Sequence, residues 1–162
     1  MTRKTKPKKK PKSWSIFPSL HDDVAVLLED CGLDFSFHNI DEPNCKKEWD
    51  TNVMGRFSCY NPKCATNAWS SKLIAITIRL YGRKKYNARV YYQRCQECDW
   101  LAKPRLDGSY AERIVHRLKI WSGIKVDTPR HHKKGKGPHL EDLCEGCKVD
   151  RCAWKRRNAG AL

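Results

Sequence analysis

The sequence predicts an α+β fold: a small antiparallel β-sheet built around a hairpin, one helix packed on it, an N-terminal helix and a disordered basic tail. Two alternating apolar segments separated by a short turn predict the hairpin. Apolar residues at helical spacing in residues 107–121 predict the packed helix. Only 40% of the residues are hydrophobic and the mean hydropathy is -0.77, so the core is thin and needs further stabilisation. Nine cysteines are the candidates for it.

The first segment, residues 1–13, is a predicted disordered tail. Residues 1–12 contain seven basic side chains and no acidic one, which is too polar a composition to form a core. The run Lys8-Lys9-Lys10-Pro11-Lys12 fits either a nuclear import signal or a phosphate-binding arm.

The second segment, residues 14–50, is predicted to hold a helix followed by acidic, irregular chain over residues 34–52. Ser19 is the predicted N-cap of the helix, and Gly32 is its predicted C-terminal stop. Phe35 and Phe37 fit a short strand. The apolar stripe of the helix consists of Val24, Leu27, Leu28 and Cys31.

The third segment, residues 51–154, is the predicted folded domain. It starts with a short strand over residues 54–59, and two alternating strands over 72–81 and 86–94 flank a turn at Gly82. The inward-facing side chains of this hairpin are predicted to be Ile74, Ile76, Ile78, Leu80, Ala88, Val90 and Tyr92. The helix over 107–121 follows, with Ser109 and Glu112 as a capping box. A short basic tail, residues 155–162, ends the chain.

Three cysteine pairs in the domain have the spacing of metal ligands: Cys59-x4-Cys64, Cys95-x2-Cys98 and Cys144-x2-Cys147. Two residues between cysteines place both sulfurs on one side of a tight turn, as a tetrahedral zinc ion requires. The hairpin leaves Cys64 and returns to Cys95, and arms of similar length bring both to the same end. The first predicted site is therefore Cys59, Cys64, Cys95 and Cys98, with iron as the less suitable metal.

A second predicted site is His139, Cys144, Cys147 and Cys152, which supplies one imidazole and three sulfurs within fourteen residues. His131 and His132 are rival ligands in the neighbouring linker. Two zinc ions per chain are therefore expected. Because protein ligands fill both sites and no acid–base pair accompanies them, we expect structural zinc and no enzyme activity or small-molecule substrate. Cys31 is a predicted core residue, and Cys45 has no predicted role.

Five motifs of this domain are Gly55-Arg-Phe-Ser-Cys59, Trp69-Ser-Ser-Lys72, Arg89-Val-Tyr-Tyr-Gln-Arg-Cys95, Tyr110-Ala-Glu-Arg-Ile114 and Pro138-His-Leu-Glu-Asp-Leu-Cys-Glu-Gly-Cys147. Together they resemble the 3CxxC-type zinc-finger domain, which occurs in receptor-transporting proteins, zygote arrest proteins and uncharacterised fungal proteins. The details are most similar to the fungal group, and the similarity covers about residues 50–153. It implies zinc ligation at the three cysteine pairs, with His139 and Cys152 at flanking motif positions; the four-residue gap after Cys59 departs from the pattern.

The charge of the chain favours a polyanionic partner. The net charge is +15, and residues 51–162 hold 24 basic and nine acidic residues. RNA is the preferred partner, with contacts predicted at Arg83, Lys84, Lys85, Arg89 and Arg94, which alternate with tyrosines. The alternative is a protein-interaction adaptor or trafficking chaperone that uses the acidic segment and six tryptophans. The sequence contains no membrane span and no secretory signal, which predicts a cytoplasmic or nuclear location.

Overall fold

The structure is a computed structural model that describes residues 12–127 and 139–159. Residues 1–11, which are most of the predicted tail, therefore lie outside the described residues. The structure confirms the α+β class. The elements in chain order are β1 (Trp14–Ser15), α1 (His21–Glu29), β2 (Ser36–Phe37), β3 (Lys47–Ser58), β4 (Ala68–Tyr81), β5 (Lys85–Tyr91), β6 (Gln93–Arg94), β7 (Leu101–Ala102), β8 (Arg105–Leu106), α2 (Ser109–Trp121), α3 (Glu145–Lys148) and α4 (Ala153–Ala159).

The main sheet has the strand order β1-β5-β4-β3-β8, and β2 lies parallel to the start of β5. All its other pairs are antiparallel. The predicted hairpin is β4 and β5, which join through a three-residue turn because Tyr81 pairs with Lys85. Beyond β5 the chain bends into the short β6–β7 ribbon.

Strand β3 is longer than predicted. The interpretation of residues 47–52 as irregular was wrong, since Lys47 to Val53 pair in register with Leu80 to Ile74 of β4. Their charged and polar side chains hid the strand from an analysis of apolar alternation. Asp50 and Asn52 are nevertheless buried, because other chain segments cover that face of the sheet. The strand continues through residue 50, where the second and third predicted segments meet. The division of the chain into these two segments stays a prediction.

One face of the sheet carries the main apolar core. Ile74, Ile76 and Ile78 of β4 are fully buried against α1 and α2, as the alternation predicts. The stripe on α1 is also confirmed: Val24 and Leu28 are buried, and Leu27 and Cys31 pack against the same cluster. Of the predicted inward residues on β5, Ala88 and Val90 are buried. Tyr92 is beyond the strand end and only half-buried, whereas its neighbour Tyr91 is buried on the opposite face.

Both predicted helix N-caps were wrong. Ser19 lies inside a 3-10 turn over Pro18–Leu20, and no side chain caps α1. Ser109 is the first residue of α2 rather than its cap, because Asp107 Oδ1 accepts hydrogen bonds from Ser109 N at 2.9 Å and from Ser109 Oγ at 2.5 Å. Ser109 Oγ in turn accepts from Met54 N at 2.8 Å, which joins α2 to β3. Gly32 does end the α1 region, with a φ of 68°.

The opposite face of the sheet is also covered, and we call it the outer face. Residues 38–46 cross one half of it, where Asp41 accepts hydrogen bonds from Arg79, Arg89 and the Trp14 indole. The C-terminal residues 139–159 cover the other half around Ala75 and Tyr91. The sheet is thus the middle layer of three.

Candidate metal centres

The first group of ligands lies at the end of the hairpin opposite its turn. Cys59 follows β3, Cys64 lies in the loop before β4, and Cys95 and Cys98 follow β6. Backbone hydrogen bonds form both loops: Cys64 N donates to Asn61 O at 3.0 Å, and Cys95 N donates to Trp100 O at 2.9 Å. The hairpin therefore brings together two turns that are 31 residues apart, as predicted.

The four thiols of this group match the geometry of a zinc site. Cys59 Sγ lies 3.5 Å from Cys98 Sγ, and Cys64 Sγ lies 3.8 Å from Cys95 Sγ. Four Zn–S bonds of ~2.3 Å in a tetrahedron separate the sulfurs by about 3.8 Å. A disulfide would need about 2.05 Å, and all nine cysteines are free thiols. The group therefore has the size of a metal tetrahedron, and its thiols are not paired in disulfides.

The second group consists of His139, Cys144, Cys147 and Cys152. His139 Nε2 lies 3.3 Å from Cys147 Sγ and 3.7 Å from Cys152 Sγ. Zn–N and Zn–S bonds of ~2.0 and ~2.3 Å predict about 3.5 Å between such atoms. All four ligand atoms lie within 4.8 Å of one another, as they do in the first group. The three cysteines are buried, so this centre is more enclosed than the first.

Neighbouring polar groups orient the ligands of the second centre. Cys144 Sγ accepts a hydrogen bond from Cys147 N at 3.4 Å, and Asn52 Nδ2 donates to Cys152 Sγ at 3.5 Å. Asn52 Oδ1 accepts from Trp154 N, and the Trp154 ring lies 4.7 Å from the His139 ring. Asn52 is a buried residue of β3, a hundred positions from Cys152, and no local motif marked it as part of the site.

The second centre is attached to the outer face of the sheet. Glu145 N donates to Tyr92 O at 3.0 Å, and Cys144 forms an isolated bridge with Gln93. Gly146 lies so close to the sheet that a Cβ on it would stand 2.4 Å from the Ala75 Cβ. The centre that looked local in the sequence is therefore built against β4 and β5.

Hydrogen bonds favour the thiolate at one cysteine of each centre. A hydrogen bond with the Asn61 side chain lowers the pKa of Cys98 to about 7. Hydrogen bonds with Cys144, and then with His139 and Asn52, lower the pKa of Cys152 to about 3, although burial opposes this. The pKa of Cys59, Cys144 and Cys147 is raised instead, by hydrogen bonds between the thiols and by burial. Zinc binds the thiolate, so it must displace protons from these three ligands.

A family model described as a zinc-binding domain, the 3CxxC zinc ribbon, matches residues 52–150. The chain belongs to this family. Comparisons with curated proteins and with solved structures found no match. The match agrees with the resemblance drawn from the motifs, and all eight predicted ligands of this 3CxxC domain form two groups that fit two zinc ions. His131 and His132 lie outside the described residues.

The remaining cysteines do not belong to either centre. Cys31 packs on the core, as predicted, and its Sγ donates to Leu27 O at 3.2 Å. Cys45 lines a cleft beside the hairpin turn.

No helix in the described part of the 3CxxC protein has the length and apolar character to cross a membrane.

The five residues predicted to contact RNA do not form one patch. Arg83, Lys84 and Lys85 are exposed at the hairpin turn. Arg89 binds Asp41 and lies over the Trp14 ring at 4.5 Å. Arg94, at the opposite end of the hairpin, binds Glu145 at 2.7 Å. The two arginines therefore have partners within the protein, whereas the three turn residues have no ion-pair partner among the described residues.

We expect Cys98→Ser to lose the first zinc ion and keep the second, because the two ligand sets share no residue. Metal analysis of the purified variant should give one zinc per chain where the wild type gives two. Cys45→Ser, which lies outside both centres, is the matched control and should keep two. Loss of both ions from Cys98→Ser would contradict the separation of the sites.

Proposed function

We propose that this zinc-binding domain binds single-stranded RNA. The observation that carries the proposal is a pair of exposed aromatic side chains at the first metal centre: Tyr60 is 76% exposed and Trp100 is 48% exposed. Tyr60 directly follows the ligand Cys59, and the Trp100 carbonyl is bound by Cys95 N. The bases of an unpaired strand stack on aromatic faces held in this way.

Basic residues close in sequence to these aromatics support the proposal. Lys63 is exposed in the loop of Tyr60, and Lys103 and Arg105 are exposed just after β7, with the Lys103 ammonium over the Phe17 ring at 4.8 Å. The loop of Trp100 itself holds the exposed acidic residues Glu97 and Asp99. Ten of the 33 basic residues and none of the acidic ones lie in residues 1–11 and 128–138, so the described part carries a net charge of +5. On such a surface, stacking of RNA bases on the aromatic rings supplies affinity, and the basic residues contact the RNA phosphates.

The adaptor alternative is less well supported by the geometry. Its proposed acidic surface is partly neutralised within the chain, because Asp41, Glu48 and Asp50 bind arginines of the hairpin and the C-terminal segment. Among the tryptophans, Trp49 and Trp100 are the exposed ones. Proteins recovered by pull-down after nuclease treatment would favour this alternative.

We also propose that both zinc ions are structural and that the protein works in a reducing, intracellular compartment. Four protein ligands complete each tetrahedron and leave no open position for a substrate or water. The free thiols are consistent with reducing conditions.

We expect Tyr60→Ala and Trp100→Ala each to weaken binding of a labelled single-stranded RNA by about 5- to 150-fold, since stacking on an aromatic residue contributes ~1–3 kcal/mol per base. Fluorescence anisotropy at several salt concentrations would measure this. Trp49→Ala is the matched control, because Trp49 is 46% exposed but lies under Arg117 at 3.6 Å, away from the first centre. Absence of RNA binding by the wild type at low salt would refute the proposal.

A further inference from the structure

The cleft beside the hairpin turn lies at the opposite end of the hairpin from the first metal centre. It has a volume of about 380 Å³ and lies between the 38–46 segment and the turn of β4 and β5. Its inner wall is formed by the rings of His38 and Tyr81, whose centroids are 4.1 Å apart. The Tyr81 hydroxyl donates to Glu42 O at 2.6 Å, so this wall is held by its own hydrogen bonds. The volume lies within the range of sites for small ligands.

The charge of the cleft is positive and is not balanced inside the protein. Lys46, Arg83 and Lys85 line it, and none of the three has a carboxylate within 4.0 Å in the described part of the chain. Lys46 Nζ reaches over the turn, 3.9 Å from where a Cβ on Gly82 would stand. The acidic residue of the cleft, Glu42, is bound to His38 at 2.9 Å. The cleft thus presents uncompensated cations to solvent.

The conformation of the turn gives an independent reason to assign a role to its basic residues. Arg83, which lines the cleft, and Lys84, which does not, have positive φ values, 59° and 54°. Glycine and asparagine adopt this conformation most readily, so a stable turn alone would favour them. Two basic residues at these positions indicate that charge at the turn is used for something besides stability.

We infer that this cleft binds a phosphate group of a single-stranded RNA. The inference rests on the proposed function and adds a second contact region to it. The turn and the first centre lie at opposite ends of β5 and its extension, nine residues from Lys85 to Arg94, or roughly 30 Å at 3.3 Å per residue. A strand that stacks on Tyr60 and Trp100 would therefore need several nucleotides to reach the cleft.

The test compares two double variants with the same change in net charge. Lys46→Gln/Lys85→Gln removes two cations of the cleft, and Lys72→Gln/Lys125→Gln removes two exposed lysines elsewhere. Binding of a labelled 15-nucleotide single-stranded RNA is measured over 50–300 mM KCl. Loss of one phosphate contact reduces the slope of log K against log salt by about 0.7 and weakens binding about 5-fold at 0.1 M salt. The control pair should show a much smaller change.

A turn variant separates binding from folding. Arg83→Asn/Lys84→Gly places the residues that favour positive φ in the turn, so its melting temperature should equal or exceed that of the wild type. Its RNA affinity should still fall. Equal losses of RNA affinity in the cleft and control variants, with wild-type binding intact, would overturn the inference that the cleft binds RNA. That result would leave the proposed function standing. No RNA binding by the wild type would overturn both.

A mononucleotide distinguishes phosphate from base recognition. In an NMR titration, uridine 5′-monophosphate should shift the amide signals of residues 46 and 82–85, whereas uridine should not. Equal shifts with uridine would overturn phosphate recognition. Shifts with the monophosphate, combined with no effect of the cleft pair on RNA binding, would reassign the site to free phosphate compounds and overturn its RNA role.

Discussion

Removal of both zinc ions is expected to unfold the hairpin end and the C-terminal layer together. Structural zinc sites have apparent binding free energies of roughly 10–16 kcal/mol at pH 7. The whole stability of a domain this size is about 5–15 kcal/mol. The binding free energy lost with even one ion is therefore comparable with the whole free energy of unfolding. The metal-free chain should no longer unfold cooperatively.

Chelation followed by metal analysis, far-UV circular dichroism and thermal melting would test this expectation. Restoring two equivalents of zinc should recover the spectrum, and magnesium, which prefers oxygen ligands, serves as the control ion. An unchanged spectrum and melting curve after verified loss of zinc would show that the apolar core alone maintains the fold.

Gly146→Ala should detach the second centre from the sheet. The added Cβ would stand 2.4 Å from the Ala75 Cβ and 3.5 Å from the Tyr91 Cβ. The Ala75 Cβ has no rotatable bond that would relieve the contact, so the backbones must separate. Overpacking of this kind costs about 1–3 kcal/mol or more, and the displaced C-terminal segment carries all four ligands of the second centre.

The measurements for this variant are the melting temperature and the rate of zinc transfer to a colorimetric chelator. Gly108→Ala is the control, because a Cβ there meets nothing within 4 Å. Adding Ala75→Gly to Gly146→Ala removes the other half of the clash and should recover part of the loss. If Gly146→Ala and Gly108→Ala behave alike, the close approach of α3 to β4 is wrong.

The metal ligands were predictable from the sequence because their chemistry is local. A tight turn places paired sulfurs on one side, and the spacing of Cys95 and Cys98 or of Cys144 and Cys147 shows that turn directly. The hairpin was equally visible in the alternation of Ile74, Ile76 and Ile78, which face one side of β4. Each of these signals depends on residues a few positions apart.

The outer face was not predictable in the same way. Ala75, Thr77 and Arg79 alternate with the isoleucines and look like solvent-facing residues, yet all three are buried. Their cover comes from distant segments, since Arg79 binds Asp41, and Arg156 binds Asp50, the cross-strand partner to which Thr77 Oγ1 donates. The partner of Ala75 is Gly146, 71 residues away. No local pattern encodes such contacts.

The cover of the outer face has a consequence for the order in which a newly made chain can fold. Strands β3, β4 and β5 follow one another, and a nascent chain that has emerged as far as α2 contains the whole hairpin and all ligands of the first centre. Ala75, Thr77 and Tyr91 then have no layer from residues 139–159 over them until those residues are synthesised. During that interval the ribosome-bound intermediate exposes surface that the finished protein buries, and this is the stage at which aggregation or chaperone capture is expected.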